Sequence, residues 1–241
     1  MNHREHFYNS YTTAQGRFHS PEAVRARINQ DHAGFAGSVA QFLPKAKDAR
    51  ILDLGCGFGS FVSYLQRQGY SNVRGVDASS EQVELALSHH IPVEVGDLFE
   101  VLKQEQNVAM ISMFDVIEHL TRSEAIIALQ EIHRVLAPGG VVLLRTPNVD
   151  APLGTVYSFG DLTHELHLNT YSALELFASL PFADVEILPL PPVGGSLPVR
   201  ALRSLLRPAV TLCRRVLHLV QGIPYRNALL TPNMLIVARR K

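Results

Sequence analysis

The stretch that decides the fold is Ile51-Leu52-Asp53-Leu54-Gly55-Cys56-Gly57-Phe58-Gly59. Its apolar beginning predicts a short buried strand over residues 50–54, and the spacing of apolar residues over 59–68 predicts a helix directly after it. Glycines occupy every other position between the two. A glycine has no Cβ, so the backbone amides of this turn can approach a ligand closely. Ligands of open parallel sheets bind beyond the carboxyl ends of the strands, and this turn is therefore a candidate binding site.

The glycine spacing argues against a dinucleotide-binding site. The dinucleotide fingerprint requires its third glycine three residues after the second, where this chain has Ser60. Asp53 precedes the turn, and a carboxylate there repels a pyrophosphate but attracts an ammonium group. The turn therefore favours a cofactor with an amino-acid end over a nicotinamide cofactor.

Strand and helix patterns alternate outward from this turn. Strands are expected at residues 50–54, 73–76, 93–95, 108–113, 141–145, 183–188 and 234–238. Helices are expected at residues 59–68, 80–88, 123–136 and 172–180, and a further one starts at Ser20-Pro21-Glu22. Such alternation implies an α/β protein of the Rossmann-like type, with a mostly parallel seven-stranded sheet and helices on both faces.

Three parts of the chain differ in character. Residues 1–47 are expected to form a helical segment that covers the binding site, and residues 48–190 the catalytic core. Residues 191–241 are expected to hold a linker, a basic amphipathic segment and the final strand. Residues 148–161 are expected to be a loop.

The composition of the chain argues against several classes of protein function. The 241 residues carry 22 Lys and Arg against 22 Asp and Glu, so no overall positive field favours a nucleic-acid partner. The two cysteines, Cys56 and Cys213, lie far apart and suit neither a disulfide framework nor a zinc site, which favours the cytoplasm. The polar N-terminus does not resemble a signal peptide.

Two further acids follow the next two strands. Asp77 ends the second strand, where a carboxylate can accept hydrogen bonds from both hydroxyls of a ribose. Asp97 follows the third strand and is placed to receive the amino group of an adenine. Either acid alone is more often a solvated loop residue or a helix cap. Together with Asp53 and the glycine turn, they predict a site for a cationic amino-acid nucleoside.

As a set, these motifs resemble the class I S-adenosylmethionine methyltransferases. The matching segments are residues 51–59, Gly75-Val76-Asp77, Val95-Gly96-Asp97-Leu98, residues 114–120 and Leu136-Ala137-Pro138-Gly139-Gly140. The resemblance implies that the methionine end is held by Asp53, Gly55, Cys56, Gly57 and Gly59. It further implies that Asp77 and Ala78 hold the ribose, Asp97 and Leu98 the adenine, and that Met113 and Phe114 flank the sulfonium.

Four residues are candidates for the chemistry of methyl transfer. Glu118 and His119 follow the fourth strand, and His164 and His167 lie in the polar segment 160–170, where this architecture builds its acceptor site. Histidine is a natural base near neutral pH. Small-RNA and quinone-precursor methyltransferases hold a divalent metal with a similar set of residues, which consists of an acidic residue, a Glu and a His. Related enzymes carry Glu-His here without metal, and we favour the metal-free alternative.

A narrower resemblance bears on the acceptor. Thr146-Pro147-Asn148, the polar segment 160–170 and residues 230–239 are similar to methyltransferases associated with bacterial surface-polysaccharide synthesis. This resemblance implies O-methylation of a sugar hydroxyl in a glycan or lipid-linked saccharide. Residues His167-Leu168-Asn169 depart from the usual arginine-rich or aromatic form of that segment. A phenolic or other small metabolite, methylated with or without a divalent metal, is the alternative acceptor.

The C-terminal part of the chain is strongly basic. Residues 200–241 contain eight Arg and one Lys but no Asp or Glu. Apolar residues and arginines alternate at helical spacing over 200–220, with an interruption at Pro208. Two interpretations are open: this face lies on an anionic membrane, at the inner face of the cytoplasmic membrane, or it packs on the domain or on a second subunit in a homodimer.

Overall fold

The computed structural model describes residues 20–222 and 229–241, so most of the first half of the expected N-terminal segment lies outside the described residues. The helices are α1 (Pro21–Ser38), α2 (Ser60–Arg67), α3 (Ser80–Ser88), α4 (Leu98–Gln104), α5 (Arg122–Val135), α6 (Gly154–Phe159), α7 (Thr170–Ala178) and α8 (Leu197–Gln221). The strands are β1 (Ile51–Leu54), β2 (Val73–Asp77), β3 (Glu94–Val95), β4 (Val108–Phe114), β5 (Leu136–Pro147), β6 (Phe182–Leu190) and β7 (Asn233–Arg240).

All seven strands belong to one sheet, in the order β3-β2-β1-β4-β5-β7-β6. The first five strands in this row run parallel, and β7 is antiparallel to both of its neighbours. The predicted Rossmann-like fold with a mostly parallel seven-stranded sheet is therefore confirmed. The strand order reverses direction at β1 and β4, and the carboxyl ends of those two strands open the crevice described below.

Helices cover both faces of the sheet. On one face, Leu102 of α4, Leu129 of α5 and Phe177 of α7 belong to one buried cluster. On the other face, Phe35 of α1 and Leu65 of α2 belong to a second cluster. Every residue of β1 is consequently buried, as expected for a central parallel strand.

Helix α1 begins where the sequence predicts. The hydroxyl of Ser20 accepts a hydrogen bond from the backbone N–H of Ala23, and Pro21 occupies the first turn. This helix contributes Val24, Ile28 and Phe35 to the core and presents Arg27 and Asp31 toward the site. The described portion of the N-terminal segment therefore does lie over the crevice.

Several element boundaries differ from the sequence prediction. Helix α4 was not predicted; it is short and begins at Asp97, whose carboxylate accepts from two of its backbone N–H groups. Helix α6 lies inside the segment expected to be a loop. Helix α5 ends at Val135, and Pro138-Gly139-Gly140 lies within the irregular first part of β5 rather than terminating the helix.

Helix α8 is continuous across Pro208, where an interruption was expected. A proline inside a helix removes one backbone donor and leaves a carbonyl one turn earlier without its usual partner. Among the described residues, no helix combines the length and the hydropathy needed to cross a membrane.

Candidate cofactor and acceptor site

A crevice of about 570 Å³ opens at the carboxyl ends of β1, β2 and β4. The predicted cofactor-binding residues that line it are Asp53, Gly55, Cys56, Gly57, Asp77, Ala78, Asp97, Leu98 and Phe114. Its volume lies in the range typical of small-molecule sites. The turn and the three acids that the sequence singled out therefore meet in one cavity.

The glycine turn adopts a backbone that other residues avoid. Gly55, Gly57 and Gly59 have φ angles of 67°, 53° and 77°. A Cβ at Gly55 would overlap Cγ2 of Val116, so the absence of a side chain there keeps the crevice open. Gly59 does not line the crevice; it is the N-cap of α2. In this geometry Gly59 shapes the start of α2 and does not belong to the crevice lining predicted for it.

Asp53 lies at the bottom of the crevice, 2% exposed. Its Oδ1 accepts a hydrogen bond of 2.6 Å from Ser112 Oγ, because the register pairs Asp53 with Ser112 on β4. Burial raises the pKa of Asp53 to about 7, although the hydrogen bond from Ser112 lowers this pKa. The charge of Asp77 also raises the pKa, and the charge of Arg145 lowers it. A buried carboxylate of this kind is completed by a cationic partner.

Asp77 holds the turn together. Its Oδ2 accepts from the N–H of Gly57 at 2.7 Å, and its Oδ1 accepts from the N–H of Ser79 at 2.8 Å. Burial raises its pKa, and these two hydrogen bonds oppose that shift. The carboxylate keeps lone pairs for a ligand, since each oxygen can accept more than one bond.

Asp97 is a helix cap that also lines the crevice. Its Oδ1 accepts from the N–H groups of Phe99 and Glu100, at 2.9 and 3.1 Å, which makes it the N-cap of α4. It is also exposed in the wall of the crevice. The helix cap therefore fixes the carboxylate at the place predicted for an adenine contact.

Phe114 and Met113 behave differently although they are neighbours on β4. Phe114 lines the crevice and packs edge-on against Phe61, with ring centroids 4.9 Å apart. The side chain of Met113 is fully buried in the core and does not line the crevice. Its position does not fit the predicted place beside the sulfonium, because alternate residues of a strand point to opposite faces.

The side chains of Glu118, His119 and His164 come together. One ligand atom from each lies within 4.8 Å of the other two. Nδ1 of His164 donates to the carbonyl of Ser158 at 2.8 Å, and Nδ1 of His119 lies 2.8 Å from Thr163 Oγ1. These contacts orient both rings.

Electrostatics in this cluster favour neutral groups. Burial, reinforced by His164, lowers the pKa of His119 to about 4. Burial, reinforced by Asp115, raises the pKa of Glu118 well above its ordinary value. Oε2 of Glu118 is buried without a hydrogen-bond partner in the described part of the chain. Of the four predicted catalytic residues, His119 lines the crevice, and Glu118, His164 and His167 do not.

His167 lies apart from this cluster. One of its ring nitrogens, Nδ1, is 2.7 Å from Ser158 Oγ, and its ring centroid is 4.0 Å from that of Phe159. Both partners belong to α6. This geometry suits a residue that supports α6 better than one that contacts a substrate.

A second cavity, also of about 570 Å³, adjoins the crevice. Five residues line both cavities: Arg27, Asp31, Phe35, Phe114 and Arg145. The rest of the second cavity combines polar side chains of α1 and β7 with the apolar segment 188–193. The two cavities therefore meet at the end of β4, where a reacting group on a cofactor can face an acceptor.

A family model described as a methyltransferase domain matches residues 28–184 of the chain. The chain belongs to this methyltransferase family. S-adenosyl-L-methionine is the cofactor of the family. The segment matched includes the glycine turn, the three acids and the Glu118-His119 pair.

Two relatives indicate the range of this methyltransferase family. The chain is 27% identical over 148 residues to norajmaline N-methyltransferase of Rauvolfia serpentina, covering 58% of this chain and 49% of the relative. It is 25% identical over 154 residues to ubiquinone biosynthesis O-methyltransferase of Alkalilimnicola ehrlichii, covering 61% of each. The chain thus spans less than two thirds of the length of either relative.

The fold is shared with solved methyltransferase structures. An S-adenosylmethionine-dependent methyltransferase from Archaeoglobus fulgidus superimposes with a TM-score of 0.63 at 19% identity, over 95% of this chain and 99% of that one. At this level of identity the likeness concerns the fold alone.

The crevice of the methyltransferase fits S-adenosyl-L-methionine on chemical grounds. Asp53 is a buried carboxylate that an ammonium group would neutralise, and Asp77 offers oxygens that can accept from ribose hydroxyls. Phe35, Phe61 and Phe114 form an apolar wall of the crevice. When bound, the cofactor supplies an electrophilic methyl group on its positively charged sulfur.

Sequence reasoning missed the residues that join the two cavities. Arg145 directly follows the apolar run of β5, and a charged residue near the end of a strand was the available signal. Asp31 was also missed, because its spacing on α1 gives no hint that this face of the helix lies over the crevice.

Proposed function

We propose that the protein transfers a methyl group from S-adenosyl-L-methionine to a hydroxyl of a sugar, in a glycan or a lipid-linked saccharide. The observation that carries this proposal is the second cavity, which is continuous with the cofactor crevice and has a polar wall. The narrower sequence resemblance to methyltransferases of surface-polysaccharide synthesis supports the same acceptor class.

The lining of the second cavity suits a hydroxyl-rich ligand. Gln30, Gln41 and Asn233 offer amide groups that can donate to a hydroxyl or accept from one. Asp31 and Arg27 add a charged acceptor and a charged donor at the junction with the crevice. Pro191, Pro192 and their neighbours supply the apolar area against which the C–H face of a sugar ring can pack.

Methyl transfer requires alignment, exclusion of water and removal of one proton. As the acceptor oxygen bonds to the methyl carbon, the carbon–sulfur bond breaks, and the hydroxyl proton leaves for a base. Asp31 lines both cavities and, although it pairs with Arg27 at 2.8 Å, is the proton acceptor placed at their junction. His119 lines the crevice alone, and its pKa, lowered to about 4, makes it a weak proton acceptor.

A radiolabelled methyl-transfer assay tests the proposal. The full chain is incubated with labelled S-adenosyl-L-methionine and three acceptor sets: free oligosaccharides, lipid-linked saccharides and phenolic compounds. Transfer of the label to a saccharide supports the assignment. The N233A variant should also lose about 10-fold or more in kcat/KM for that saccharide while its binding of S-adenosylhomocysteine is unchanged. Label in phenolic compounds alone contradicts the assignment. The exposed E84A substitution on α3, remote from the second cavity, is the control.

A second candidate function is methylation of a small metabolite with a divalent metal, favoured by the cluster of Glu118, His119 and His164. Two imidazoles and one carboxylate form a common donor set for zinc and related metals, and the contacts from Thr163 and Ser158 orient the rings as outer partners of metal ligands do. The unpartnered Oε2 of Glu118 fits the same set. The relative named for ubiquinone biosynthesis supports a small-metabolite acceptor.

Metal binding distinguishes the two candidates without an activity assay. Calorimetry with Zn²⁺, Mn²⁺ and Mg²⁺, and metal analysis of the purified chain, measure occupancy directly. One bound ion that is lost in E118Q and H164A, but kept in H167A, supports the metal-assisted function. Absence of binding, with a methyl-transfer rate that a chelator leaves unchanged, supports the metal-free one.

A further inference from the structure

Helix α8 has two chemically distinct faces. At 1.5 Å per residue its 25 residues extend about 37 Å. Apolar side chains occupy about half of its circumference: Leu202, Leu205, Ala209, Leu212, Val216, Leu219 and Val220, with further ones at the margins. Its five arginines lie on or beside the opposite face.

The apolar face of α8 is turned away from the body of the protein. All residues of the helix are exposed except Thr211, Arg214 and His218, which are half-buried and lie on the polar face. Leu205 is 75% exposed and Leu219 is 82% exposed. A helix that served to complete the core would show the reverse arrangement, so the expectation that this stripe packs on the domain is wrong for the described residues.

Polar contacts hold the helix in this orientation. Arg214 Nη2 donates to the carbonyl of Asp150 at 2.7 Å. Arg203 Nη1 donates to the carbonyl of Gly194 at 2.8 Å, and Gln30 of α1 donates to the neighbouring carbonyl of Val193 at 3.0 Å. The polar face is therefore held to the body directly by Arg214, and indirectly through the linker before the helix, which Arg203 and Gln30 contact.

A second segment near α8 also exposes apolar side chains. Residues 153–162 follow Asp150, which Arg214 contacts, and include α6. Their exposed large apolar side chains are Leu153, Val156, Tyr157, Phe159 and Leu162. Exposed apolar surface on this scale marks a site of interaction with a partner or a membrane.

The charge of helix α8 indicates what binds to its exposed apolar face. Helix α8 contains five arginines and no acidic residue, although the whole chain has balanced charges. We propose that α8 and residues 153–162 bind the surface of an anionic lipid bilayer, with the apolar face of α8 among the acyl chains and exposed arginines such as Arg200 and Arg207 at the level of the headgroups. Apart from Tyr157, this surface lies outside both cavities, and the inference does not depend on the identity of the acceptor.

Electrostatics favour a membrane over a second copy of the chain. Pairing two copies through this surface would bring two helices of the same positive charge together, and like charges at that distance repel. An anionic bilayer attracts the arginines instead, with an effect of about 5-fold in partitioning for each arginine near the surface.

The position of the helix connects the membrane to the second cavity. Pro192 and Val193 line that cavity, and α8 starts four residues later. Tyr157, one of the exposed apolar residues, lines the same cavity. A membrane in contact with α8 would place the cavity near the lipid headgroups, where a lipid-linked acceptor is found.

Flotation of the full chain with lipid vesicles tests this inference. Vesicles of phosphatidylcholine alone are compared with vesicles that also contain phosphatidylglycerol. The protein should float with the anionic vesicles and remain in the dense fraction with the neutral ones, and raised salt should reduce flotation. The L205E/L212E variant should lose at least 10-fold of the binding, and R200Q/R207Q about 25-fold.

A matched control separates the membrane surface from exposed apolar residues in general. Ile126 and Ile127 are exposed on α5, away from α8. The I126E/I127E variant should float as the unmodified chain does. Calorimetry with S-adenosylhomocysteine verifies that every variant is folded, so a failure of cofactor binding is distinguishable from a failure of membrane binding. Three results would overturn the inference. The first is a failure of the chain to float with anionic vesicles, and the second is flotation of L205E/L212E equal to that of the unmodified chain. The third is a concentration-dependent dimer that L205E/L212E abolishes, with no lipid binding by either protein.

Discussion

Arg145 at the end of β5 and Asp115 just beyond β4 form a two-bonded ion pair in the wall between the two cavities. Nε of Arg145 lies 2.8 Å from Oδ1 of Asp115, and Nη2 lies 2.5 Å from Oδ2. Asp115 has a φ of 57°, a left-handed conformation that is rare for residues other than glycine. The guanidinium group also lies 5.2 Å from the ring of Phe114. The pair therefore fixes the backbone where cofactor and acceptor meet.

Substitution of Arg145 by lysine should separate geometry from charge. Lysine retains the positive charge but cannot make the two-bonded contact. We expect R145K to lower the rate of methyl transfer about 10-fold while the affinity for S-adenosylhomocysteine changes less than about 3-fold. Steady-state kinetics and calorimetry measure the two effects, and R122K on the exposed surface of α5 is the control. D115N should give the same loss, and the double variant should be no worse than either single one.

Asp77 should contribute strongly to cofactor affinity. We expect D77A to weaken binding of S-adenosylhomocysteine by about 100-fold, because two charge-assisted hydrogen bonds to a ribose would be lost. The exposed D48A substitution should have no effect. Thermal unfolding of the unliganded variants shows how much of the loss arises from the turn, since Asp77 also accepts from the N–H of Gly57. Unchanged affinity in calorimetry would contradict the assigned ribose contact.

The protonation of Asp53 should couple cofactor binding to pH. Burial raises its pKa from 3.8 to about 7, so the neutral form is favoured in the unliganded protein, and the stability linked to that form is lost as the pH rises through 7. A bound ammonium group favours the ionised form and expels the proton. Affinity for S-adenosylhomocysteine should therefore increase about 10-fold from pH 6 to pH 8.

The variant D53N tests this coupling. Asparagine cannot ionise, so its affinity should be lower at pH 8 and nearly independent of pH between 6 and 8. Calorimetry in buffers of different ionisation enthalpy counts the proton released by the unmodified protein. An equal pH dependence in both proteins would show that another group is responsible.

Two glycines of the turn should respond unequally to alanine. G57A introduces a left-handed alanine without an overlap and should lower the free energy of unfolding by about 1–2 kcal/mol. G55A carries the same backbone cost and also forces its Cβ into Val116, so its loss should be larger. The V116A substitution should recover part of the loss in G55A and none in G57A. Chemical denaturation of the unmodified chain, V116A, the two glycine variants and the two double variants measures these differences.

Much of the fold could be predicted because its signals are local. A parallel sheet is predicted by the turn at residues 55–59 and by the alternation of apolar strand patterns with helical patterns. The carboxyl ends of its strands then predict where acidic side chains can meet. Asp53, Asp77 and Asp97 were found in this way. The face of the sheet to which the side chain of Met113 points could not be predicted. A fully buried strand has no alternation of polar and apolar residues that would reveal it.

The rest depended on contacts between distant parts of the chain. His164 approaches His119 only after segment 160–170 hydrogen-bonds to the backbone of Glu118, and Asp31 reaches the crevice only because α1 packs across it. The orientation of α8 was equally inaccessible: its amphipathic pattern is visible in the sequence, but the face that meets the body of the protein is decided by contacts such as Arg214 with Asp150.

Calorimetric titration of the full chain with S-adenosylhomocysteine and, separately, with NAD tests the central claim most directly. The crevice offers carboxylates and open backbone amides to a cationic amino-acid nucleoside, and its acids repel a diphosphate. We predict one site for S-adenosylhomocysteine, weakened in D77A, and no measurable heat of binding with NAD. Binding of NAD in place of S-adenosylhomocysteine would contradict the account.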